Sequence, residues 1–318
     1  MKTQIENKLE NIKNLITNTP LVAINYKYNN QIKTAYAKCE WYSLTGSIKD
    51  KVAYQIFKTA FATGELKTGD KVVEVSSGNM GIAISAIGKL LGLDVTIIMP
   101  KNMSEERKKL IRAYGATLVE TDNFTEAFAL CKKYEKEGYF GTHQFSNPQN
   151  RIAHEQLTAQ EIINKKDSVH ANNFVAGIGT SGTLSGVGSA LKNKLGYSVT
   201  AIEPENARII SSLPPYGHHE LQGLSDEILP DLFEQNLCDN VIQITDADAI
   251  AMSQKLSREL SLGVGISSGA NFLGCVLSGN NSVTVFPDDN KKYLSTKLSL
   301  PISTPLVDSI ELLSWEFI

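Results

Sequence analysis

Residues 71–92 read KVVEVSSGNMGIAISAIGKLLG and combine a strand, a polar loop and a helix. The β-branched run Lys71–Ser77 predicts a buried strand, and Met80–Gly92 predicts a helix that is apolar on nearly all sides and therefore buried. Ser76–Gly81 forms the loop between them. Because backbone N–H groups at a helix N-terminus bind anions, this loop is a candidate carboxylate site; a tight turn with a serine cap is the structural alternative.

Strands and helices continue to alternate along the rest of the chain. Strands are predicted at Asp94–Pro100, Thr117–Glu120, Asn173–Ala176, Ser198–Glu203, Val241–Thr245 and Ser282–Phe286, and helices at Ser104–Tyr114, Thr125–Glu137, Leu184–Lys194 and Ala247–Leu260. This pattern indicates parallel strands with helices on both faces. It predicts two α/β domains with a cleft between them. The charged helix Ser104–Tyr114 is expected at the surface, and the irregular stretch Asn206–Leu237 is typical of an active-site cover.

A second glycine-rich loop lies in the later half of the chain. It reads GIGTSGTLSG at 177–186, follows a predicted strand and opens a helix. Its glycines allow the backbone to approach an anion closely, and its serine and threonine hydroxyls add donors. It lacks the Gly-Lys-Ser/Thr ending of a Walker loop and the acidic residue of a dinucleotide fingerprint. The loop therefore predicts a pocket for one phosphate group.

Two further segments are weak signals when taken singly. Lys49 lies in TGSIKDK at 45–51, immediately before an amphipathic helix. The positive end of a helix dipole favours a neutral amine, which can form an imine with a carbonyl cofactor, although a surface lysine is the commoner finding. The segment GISSGAN at 265–271 is, by itself, a capped helix start.

Composition excludes several classes of function. The chain has 318 residues, enough for two domains with buried cores, and its net charge of −3 does not suit binding to nucleic acid or an anionic membrane. The N-terminus mixes charges and lacks an apolar signal core, and no apolar run reaches the roughly 20 residues that span a bilayer, so we expect a cytoplasmic protein. The four cysteines form no C-x-x-C pair, which predicts reduced thiols and no metal site.

In their order and combination, the four motifs resemble those of the cysteine synthase (O-acetylserine sulfhydrylase) and cystathionine β-synthase family of fold-type II enzymes, which depend on pyridoxal 5′-phosphate (PLP). The resemblance runs from TPLV at 19–22 to DNKKYLST at 289–296 and includes QFSNP at 144–148 with His154. It covers nearly the whole chain.

The resemblance implies an α/β fold of two three-layer αβα domains with the cofactor cleft between them. The smaller, mobile domain would span 46–155 and carry the carboxylate loop. The larger would comprise 1–45 and 156–318 and carry the phosphate loop. A homodimer is also implied.

The resemblance further implies a role for each matching residue. Lys49 would hold the cofactor as a Schiff base and transfer protons, Asn79 would bond the ring hydroxyl, and Ser268 would face the pyridine nitrogen. The cofactor phosphate would be held by Gly179, Thr180, Ser181, Gly182 and Thr183. The substrate would be bound by Ser76, Ser77, Gly78, Met80 and Gln144, with Ser76, Ser77 and Gln144 on its carboxylate.

Serine is a neutral, weak partner for the ring nitrogen, so Ser268 favours loss of a β-substituent to give an aminoacrylate, to which a nucleophile then adds. The implied activity is PLP-dependent β-replacement on a small L-amino acid, most simply cysteine synthesis from O-acetylserine and sulfide. One alternative is a cysteine lyase that releases hydrogen sulfide, with water adding to give L-serine. Cystathionine β-synthase chemistry is another. A catalytically silent regulatory or complex-forming homologue is an alternative of a different class.

Three departures from the family pattern bear on the substrate. The segment SLTGS at 43–47 replaces the usual Asn-Pro-Gly-Gly-Ser ahead of the lysine, and Met80 replaces a threonine, which removes one hydroxyl contact. The stretch 221–228 carries two acids, Asp226 and Glu227, where typical members have small neutral residues. Asp226 is a candidate general base on water, which would turn the site toward cysteine consumption; a solvated loop acid is the alternative.

Overall fold

The computed structural model describes residues 3–211, 217, 219–224 and 229–318. Its strands are β1 (Leu21–Tyr28), β2 (Gln31–Cys39), β3 (Lys71–Val75), β4 (Asp94–Pro100), β5 (Thr117–Thr121), β6 (Phe140–Gly141), β7 (Asn173–Gly177), β8 (Ser198–Pro204), β9 (Asn240–Ile244), β10 (Ser282–Phe286) and β11 (Glu311–Phe317). Its α-helices are α1 (Gln4–Ile16), α2 (Lys49–Thr63), α3 (Asn79–Leu91), α4 (Glu105–Ala113), α5 (Phe124–Lys136), α6 (Pro148–Ala153), α7 (Ala159–Ile163), α8 (Gly182–Leu195), α9 (Asp246–Leu260), α10 (Ile266–Ser278) and α11 (Pro305–Asp308). A π-helix at His154–Thr158 joins α6 to α7.

The smaller sheet is parallel, with the strand order β5-β4-β3-β6. Successive side chains of a strand point to opposite faces, and both faces of β3 are buried. On one face Val72 shares an apolar cluster with Phe57 of α2 and Ile84 of α3. On the other, Val73 clusters with Ala127 of α5. The predicted buried strand and its buried helix are therefore confirmed.

The larger sheet has the order β11-β1-β2-β10-β7-β8-β9. Its β2-β10-β7-β8-β9 portion is parallel, whereas β1 runs antiparallel to both β2 and β11. Val175 of β7 clusters with Phe272 of α10 on one face, and Phe174 clusters with Leu184 of α8 on the other. Helices thus cover both faces of each sheet, and the predicted α/β fold of two three-layer units is confirmed.

Most predicted elements are present, with ends that shift by one or two residues. The strands Asp94–Pro100 and Ser282–Phe286 have their predicted bounds. The β1–β2 hairpin and the strand β11 were not predicted. The strand β11 is joined to α9 by Trp315, whose Nε1 donates to the Leu260 carbonyl at 2.9 Å.

The helix α1 packs beside the smaller sheet. Leu9, Ile12 and Ile16 belong to the same apolar cluster as Val52 of α2 and Ile87 of α3. Residues 1–45 were assigned from the sequence to the other domain. The division at 45/46 and 155/156 stays a prediction.

The carboxyl ends of parallel strands from both sheets meet at one cavity. Its wall contains residues that follow β3, β7 and β10, and the first turn of α2. Ligands of α/β proteins bind at this end of the strands. The fold therefore brings the loops of the sequence motifs together.

Candidate active site

Lys49 is the first residue of α2 and lies in the wall of this cavity. Its Nζ donates to the Thr180 hydroxyl at 3.3 Å. Just before it, the Ile48 N–H donates to the Pro287 carbonyl at 2.9 Å. The lysine thus faces the glycine-rich loop after β7, and its segment is tied to the loop after β10.

The unusual segment ahead of Lys49 is held by the chain's own side chains. The Thr45 N–H donates to a carboxylate oxygen of Asp50 at 2.7 Å, and the Thr45 hydroxyl donates to the other oxygen. Asp50 is fully buried, and burial raises its pKa above the ordinary value. Gly46 has a φ of 76°, and its carbonyl accepts from Lys292 at 2.7 Å. Thr45 therefore has a structural role in this turn, as a donor to Asp50.

The predicted carboxylate loop connects β3 to α3. The Ser76 hydroxyl oxygen accepts from Gly78 N at 3.0 Å and from Gly81 N at 2.9 Å. Ser76 is buried within the loop, whereas Ser77 is half-buried and lies in the cavity wall. Ser76 therefore orders the loop, and Ser77 is the serine that faces the cavity.

Gly78 and Arg107 are in close contact in this loop. Gly78 has a φ of 153°, and a Cβ added to it would overlap the Arg107 side chain. Arg107 is buried; its guanidinium lies 4.5 Å from the Tyr293 ring centroid and 3.8 Å from an Asp288 carboxylate oxygen, and Nη1 donates to Gln222. The arginine links α4 to the far side of the cavity. The helix α4 lies at the surface, as predicted, with Glu105 and Lys109 exposed, but its inner face buries the charged Arg107.

Asn79 also reaches across the cavity. Its Nδ2 donates to Asp288 Oδ2 at 2.7 Å, and the Tyr293 hydroxyl donates to the same oxygen at 2.8 Å. The side-chain oxygen of Asn79 and the second carboxylate oxygen of Asp288 are buried and have no hydrogen-bond partner among the described residues. Asn79 therefore presents an acceptor where the sequence predicted a contact with the cofactor.

Gln144 and Met80 complete the wall near the carboxylate loop. Gln144 Nε2 donates to the Val75 carbonyl at 2.8 Å, and its backbone N–H donates to Glu74 at 3.3 Å. Glu74 also accepts from the Thr142 hydroxyl, and burial raises the pKa of Glu74 to about 7. Met80 is buried in the wall and contributes a thioether, which cannot donate a hydrogen bond, to the cavity.

The backbone of the predicted phosphate loop turns directly into α8. Gly182 is the first residue of that helix, and Ser181 before it has a left-handed φ of 64°. A Cβ on Gly179 would overlap the Gly223 carbonyl, so only glycine fits at position 179. The free N–H groups of a helix start are thereby directed at the cavity, as an anion site requires.

The hydroxyls of this loop are held in three ways. Thr180 accepts from Lys49, Ser181 hydrogen-bonds Ser185 at 2.9 Å, and Thr183 hydrogen-bonds His154 Nε2 at 3.2 Å. His154 is fully buried, and burial lowers its pKa well below the ordinary value. A neutral imidazole in the π-helix therefore orients Thr183.

Ser268 lies in the first turn of α10 and is fully buried. Its hydroxyl has no partner within the described part of the chain. Asn271, one turn later, accepts from Gly177 N at 2.8 Å and donates to the Val285 carbonyl at 2.8 Å. Asn271, which was not predicted, fixes α10 against two strands so that the Ser268 hydroxyl is held at a defined place.

These groups fit PLP. An amine lies beside a glycine-rich helix start that suits a phosphate. The buried Ser268 hydroxyl and Asn79 Oδ1 lack protein partners, and buried polar atoms of this kind are normally satisfied by a ligand or water. The donors and acceptors are those that a phosphorylated pyridine aldehyde needs.

Asp226 and Glu227 lie outside the described residues. The neighbouring Gln222, Gly223 and Leu224 are described and line the cavity. The segment predicted to lie near the substrate therefore reaches the cavity in its described part. Asp226 as a base stays a prediction.

Among the described residues, no helix combines the length and apolarity that crossing a membrane requires. The family model described as "Pyridoxal-phosphate dependent enzyme" matches residues 12–288. A cysteine synthase of Staphylococcus aureus is 35% identical over 301 residues, which cover 91% of this chain and 97% of that protein.

Three solved structures are similar over more than nine-tenths of this chain. A hydrogen sulfide-producing enzyme from Fusobacterium nucleatum has a TM-score of 0.93 and 38% identity, covering 98% of this chain and 99% of that chain. An Asp-to-Asn mutant of a hydrogen sulfide-producing enzyme, in complex with an α-aminoacrylate intermediate, also matches with a TM-score of 0.93. A cysteine synthase from Entamoeba histolytica has a TM-score of 0.85 and 32% identity, covering 94% and 93%. With a buried site that suits this cofactor and a family match over most of its length, the chain belongs to the pyridoxal-phosphate-dependent enzymes, in the branch that contains the cysteine synthases.

Proposed function

We propose that this enzyme carries out β-elimination and replacement on L-cysteine, releasing hydrogen sulfide and forming L-serine. The observation that carries the reaction class is the Lys49 amine, 3.3 Å from the Thr180 hydroxyl of the phosphate loop, in one cavity with the carboxylate loop. The direction of the reaction rests on the full-length similarity to the hydrogen sulfide-producing enzyme, which exceeds that to the cysteine synthase structure.

In this proposal, the cofactor is held by the residues that the motifs identified. Lys49 would bind its aldehyde carbon, Asn79 would contact its ring hydroxyl, and Ser268 would contact its ring nitrogen. Its phosphate would be held by Gly179, Thr180, Ser181, Gly182 and Thr183. Bound there, PLP withdraws electrons from the amino acid and acidifies its α-hydrogen.

The substrate carboxylate is bound by the loop after β3. The hydroxyl of Ser77 and the amide of Gln144 supply donors, and Ser76 keeps the loop in shape by accepting from the backbone of Gly78 and Gly81. Met80 packs against the substrate without donating a hydrogen bond. Closure of the loop excludes bulk water from the cavity.

Proton transfers are assigned to Lys49 and Asp226. The Lys49 amine takes the α-proton, and the Cβ–S bond breaks with sulfur leaving as hydrosulfide. A water oxygen bonds to Cβ while Asp226 takes a water proton, which passes to hydrosulfide, and Lys49 returns a proton to Cα. The net reaction converts L-cysteine and water into L-serine and hydrogen sulfide.

Cysteine synthesis from O-acetylserine and sulfide is the second candidate. Several cysteine synthases match this chain over 91% of its length. It uses the same residues, except that the Cβ–O bond of O-acetylserine breaks with acetate leaving, hydrosulfide rather than water adds at Cβ, and Asp226 has no role.

A pair of assays separates the candidates. The purified holoenzyme is given L-cysteine alone, and hydrogen sulfide and serine are measured; a second reaction contains O-acetylserine and sulfide, and cysteine is measured. Equal amounts of hydrogen sulfide and serine support the first proposal, and cysteine formation without sulfide release supports the second. No turnover, with no visible absorbance from bound cofactor, would instead indicate the catalytically silent homologue.

Asp226→Asn tests the assignment of the base. We expect a 10²- to 10⁴-fold lower rate of serine formation, the usual range for losing a general base. Asp231→Asn is the matched control, because Asp231 is an exposed acid of the same segment. An unchanged rate in Asp226→Asn would leave Asp226 as a solvated acid.

We also propose a cytoplasmic homodimer with a mobile domain at 46–155 moving against 1–45 and 156–318. The four cysteines are free thiols, which suits a reducing compartment.

The edge strand β11 exposes Leu313 and Phe317, which suits burial against a second copy in the proposed homodimer. Sedimentation analysis giving the mass of one chain would contradict the dimer.

A further inference from the structure

We infer that Asn150 is a positioning residue that couples substrate binding at Gln144 to the phosphate loop and Lys49. This inference deepens the proposed function and rests on it for the identity of the substrate. Asn150 lies in α6 and is not among the site residues that the sequence predicted, and its side chain is fully buried.

One amide group makes both connections. Asn150 Nδ2 donates to the Gln144 carbonyl at 2.8 Å and to the Thr180 hydroxyl at 2.8 Å. An amide nitrogen has two N–H groups, so each is used once. No other side-chain type of this size supplies two such donors from a single uncharged group.

The connection continues on both sides. On one side, the Gln144 side chain donates to the Val75 carbonyl, at the start of the carboxylate loop. On the other, the Thr180 hydroxyl accepts from Lys49 at 3.3 Å. A continuous path of hydrogen bonds therefore joins the residues predicted to hold the substrate carboxylate to the residue predicted to hold the cofactor.

The oxygen of the same amide lies against the phosphate loop. Asn150 Oδ1 is buried without a partner among the described residues, and a Cβ added to Gly182 would overlap it. Leaving a buried acceptor unpaired costs free energy. The amide keeps this orientation because turning it over would break both of its donated hydrogen bonds. Asn150 therefore fixes the position of the loop by contact as well as by hydrogen bonding.

When a substrate moves Gln144, the shared amide passes that movement to Thr180 and Lys49. The expected result is that the substrate and cofactor sites lose affinity together when Asn150 is removed. For Asn150→Ala we expect the PLP dissociation constant and the KM for L-cysteine each to rise roughly tenfold. Asn150→Asp, which keeps the shape but cannot donate, is expected to weaken PLP binding at least as much, because its charge opposes the phosphate.

Asn173→Ala is the matched control. Asn173 is also fully buried and donates to Ser282 at 3.0 Å, while it accepts from Ser198 and Thr200. It lies at the amino end of β7, opposite the cavity. Its replacement is expected to lower the thermal stability as Asn150→Ala does, but to leave PLP affinity unchanged.

The test measures PLP affinity by absorbance titration of apoprotein, and KM and kcat with L-cysteine, for Asn150→Ala, Asn150→Asp and Asn173→Ala. The same measurements are made on Thr180→Val, alone and combined with Asn150→Ala. Coupling predicts that Thr180→Val raises the KM for cysteine in the wild-type background but not in the Asn150→Ala background. Wild-type PLP affinity and KM in Asn150→Ala and Asn150→Asp, or equal losses in Asn173→Ala, would overturn the inference. If the wild-type enzyme released no sulfide from cysteine, the proposed function would fail, whereas the PLP titrations would still test Asn150.

Discussion

The amide nitrogen of Asn79 lies 2.7 Å from a carboxylate oxygen of Asp288. Asn79 is the first residue of α3, which follows β3 of the smaller sheet, and Asp288 follows β10 of the larger sheet. This hydrogen bond therefore joins the two halves of the site across the cavity. It also fixes the orientation of the Asn79 amide, whose oxygen has no partner among the described residues.

Asp288→Asn is expected to weaken PLP binding roughly tenfold. The change removes the negative charge of the carboxylate that accepts hydrogen bonds from Asn79 and Tyr293 and lies near Arg107. Hydrogen bonds to a charged group contribute about 1.5–3 kcal/mol each. Absorbance titration of apoprotein with PLP measures the change. The neighbouring Asp289→Asn is the control, because an asparagine preserves the cap that Asp289 gives to the following turn. Equal affinity in both variants would show that the Asp288 charge does not order the site.

Gly78→Ala is expected to reduce amino-acid binding far more than PLP binding. An added Cβ would overlap Arg107 and disturb the loop that carries the substrate donors. Gly138→Ala separates this clash from backbone strain, because Gly138 also has a positive φ of 92° but has nothing near its added Cβ. Spectral titration with L-serine, the proposed product, measures binding. A similar loss in both alanine variants would rule out the steric explanation.

The sequence predicted the parallel strands and the loops because their apolar runs and glycine-rich ends are local signals. Arg107 was missed because a charged helix is normally solvated, and nothing in EERKKL indicates that Arg107 and Lys108 are 2% and 4% exposed. Asp288 and Asn150 were missed for a related reason. Their partners, Asn79 and Thr180, are distant in the chain, and only the tertiary fold brings them together.

Glu74→Gln is expected to flatten the dependence of stability on pH. Burial raises the pKa of Glu74 from 4.5 to about 7 in the folded state. Between these values the folded protein binds more protons than the unfolded chain, so this residue lowers the free energy of unfolding as pH rises from about 4.5 to 7, and its effect is constant above that. Urea unfolding of the PLP-saturated wild type and variant from pH 5 to 8 measures the difference. Parallel curves across this range would contradict the ionisation of Glu74.

Lys51→Met is expected to destabilise the protein by about 3–5 kcal/mol, the usual cost of breaking a buried ion pair. Lys51 is fully buried, with its Nζ 2.8 Å from Glu40 and 3.1 Å from Glu161. Its removal leaves these carboxylates short of a cation and loosens the first turn of α2. Lys58→Met on the exposed face of α2 is the control, and we expect it to change stability by no more than about 0.5 kcal/mol. Urea unfolding measures the free energy of unfolding of both variants. A similarly small change in Lys51→Met would mean that the ion pairs of Lys51 with Glu40 and Glu161 do not stabilise the helix.

The segment before Lys49 illustrates what the sequence could not provide. The replacement of the usual residues at 43–47 was visible, but its consequence depended on Asp50 accepting from Thr45 in a buried turn. The hairpin and β11 were missed because the hairpin's strands mix polar and apolar residues and the pairing partner of β11 lies almost 300 residues away. Long-range pairing of this kind leaves no local pattern.

The central claim is that Lys49 holds the cofactor. Reduction of the PLP-loaded enzyme with borohydride, followed by proteolysis and peptide mass mapping, tests it most directly. We predict a phosphopyridoxyl group on the peptide that contains Lys49 and loss of that group in Lys49→Ala. The group on another lysine of the wild type, or its persistence at full yield in Lys49→Ala, would contradict the account.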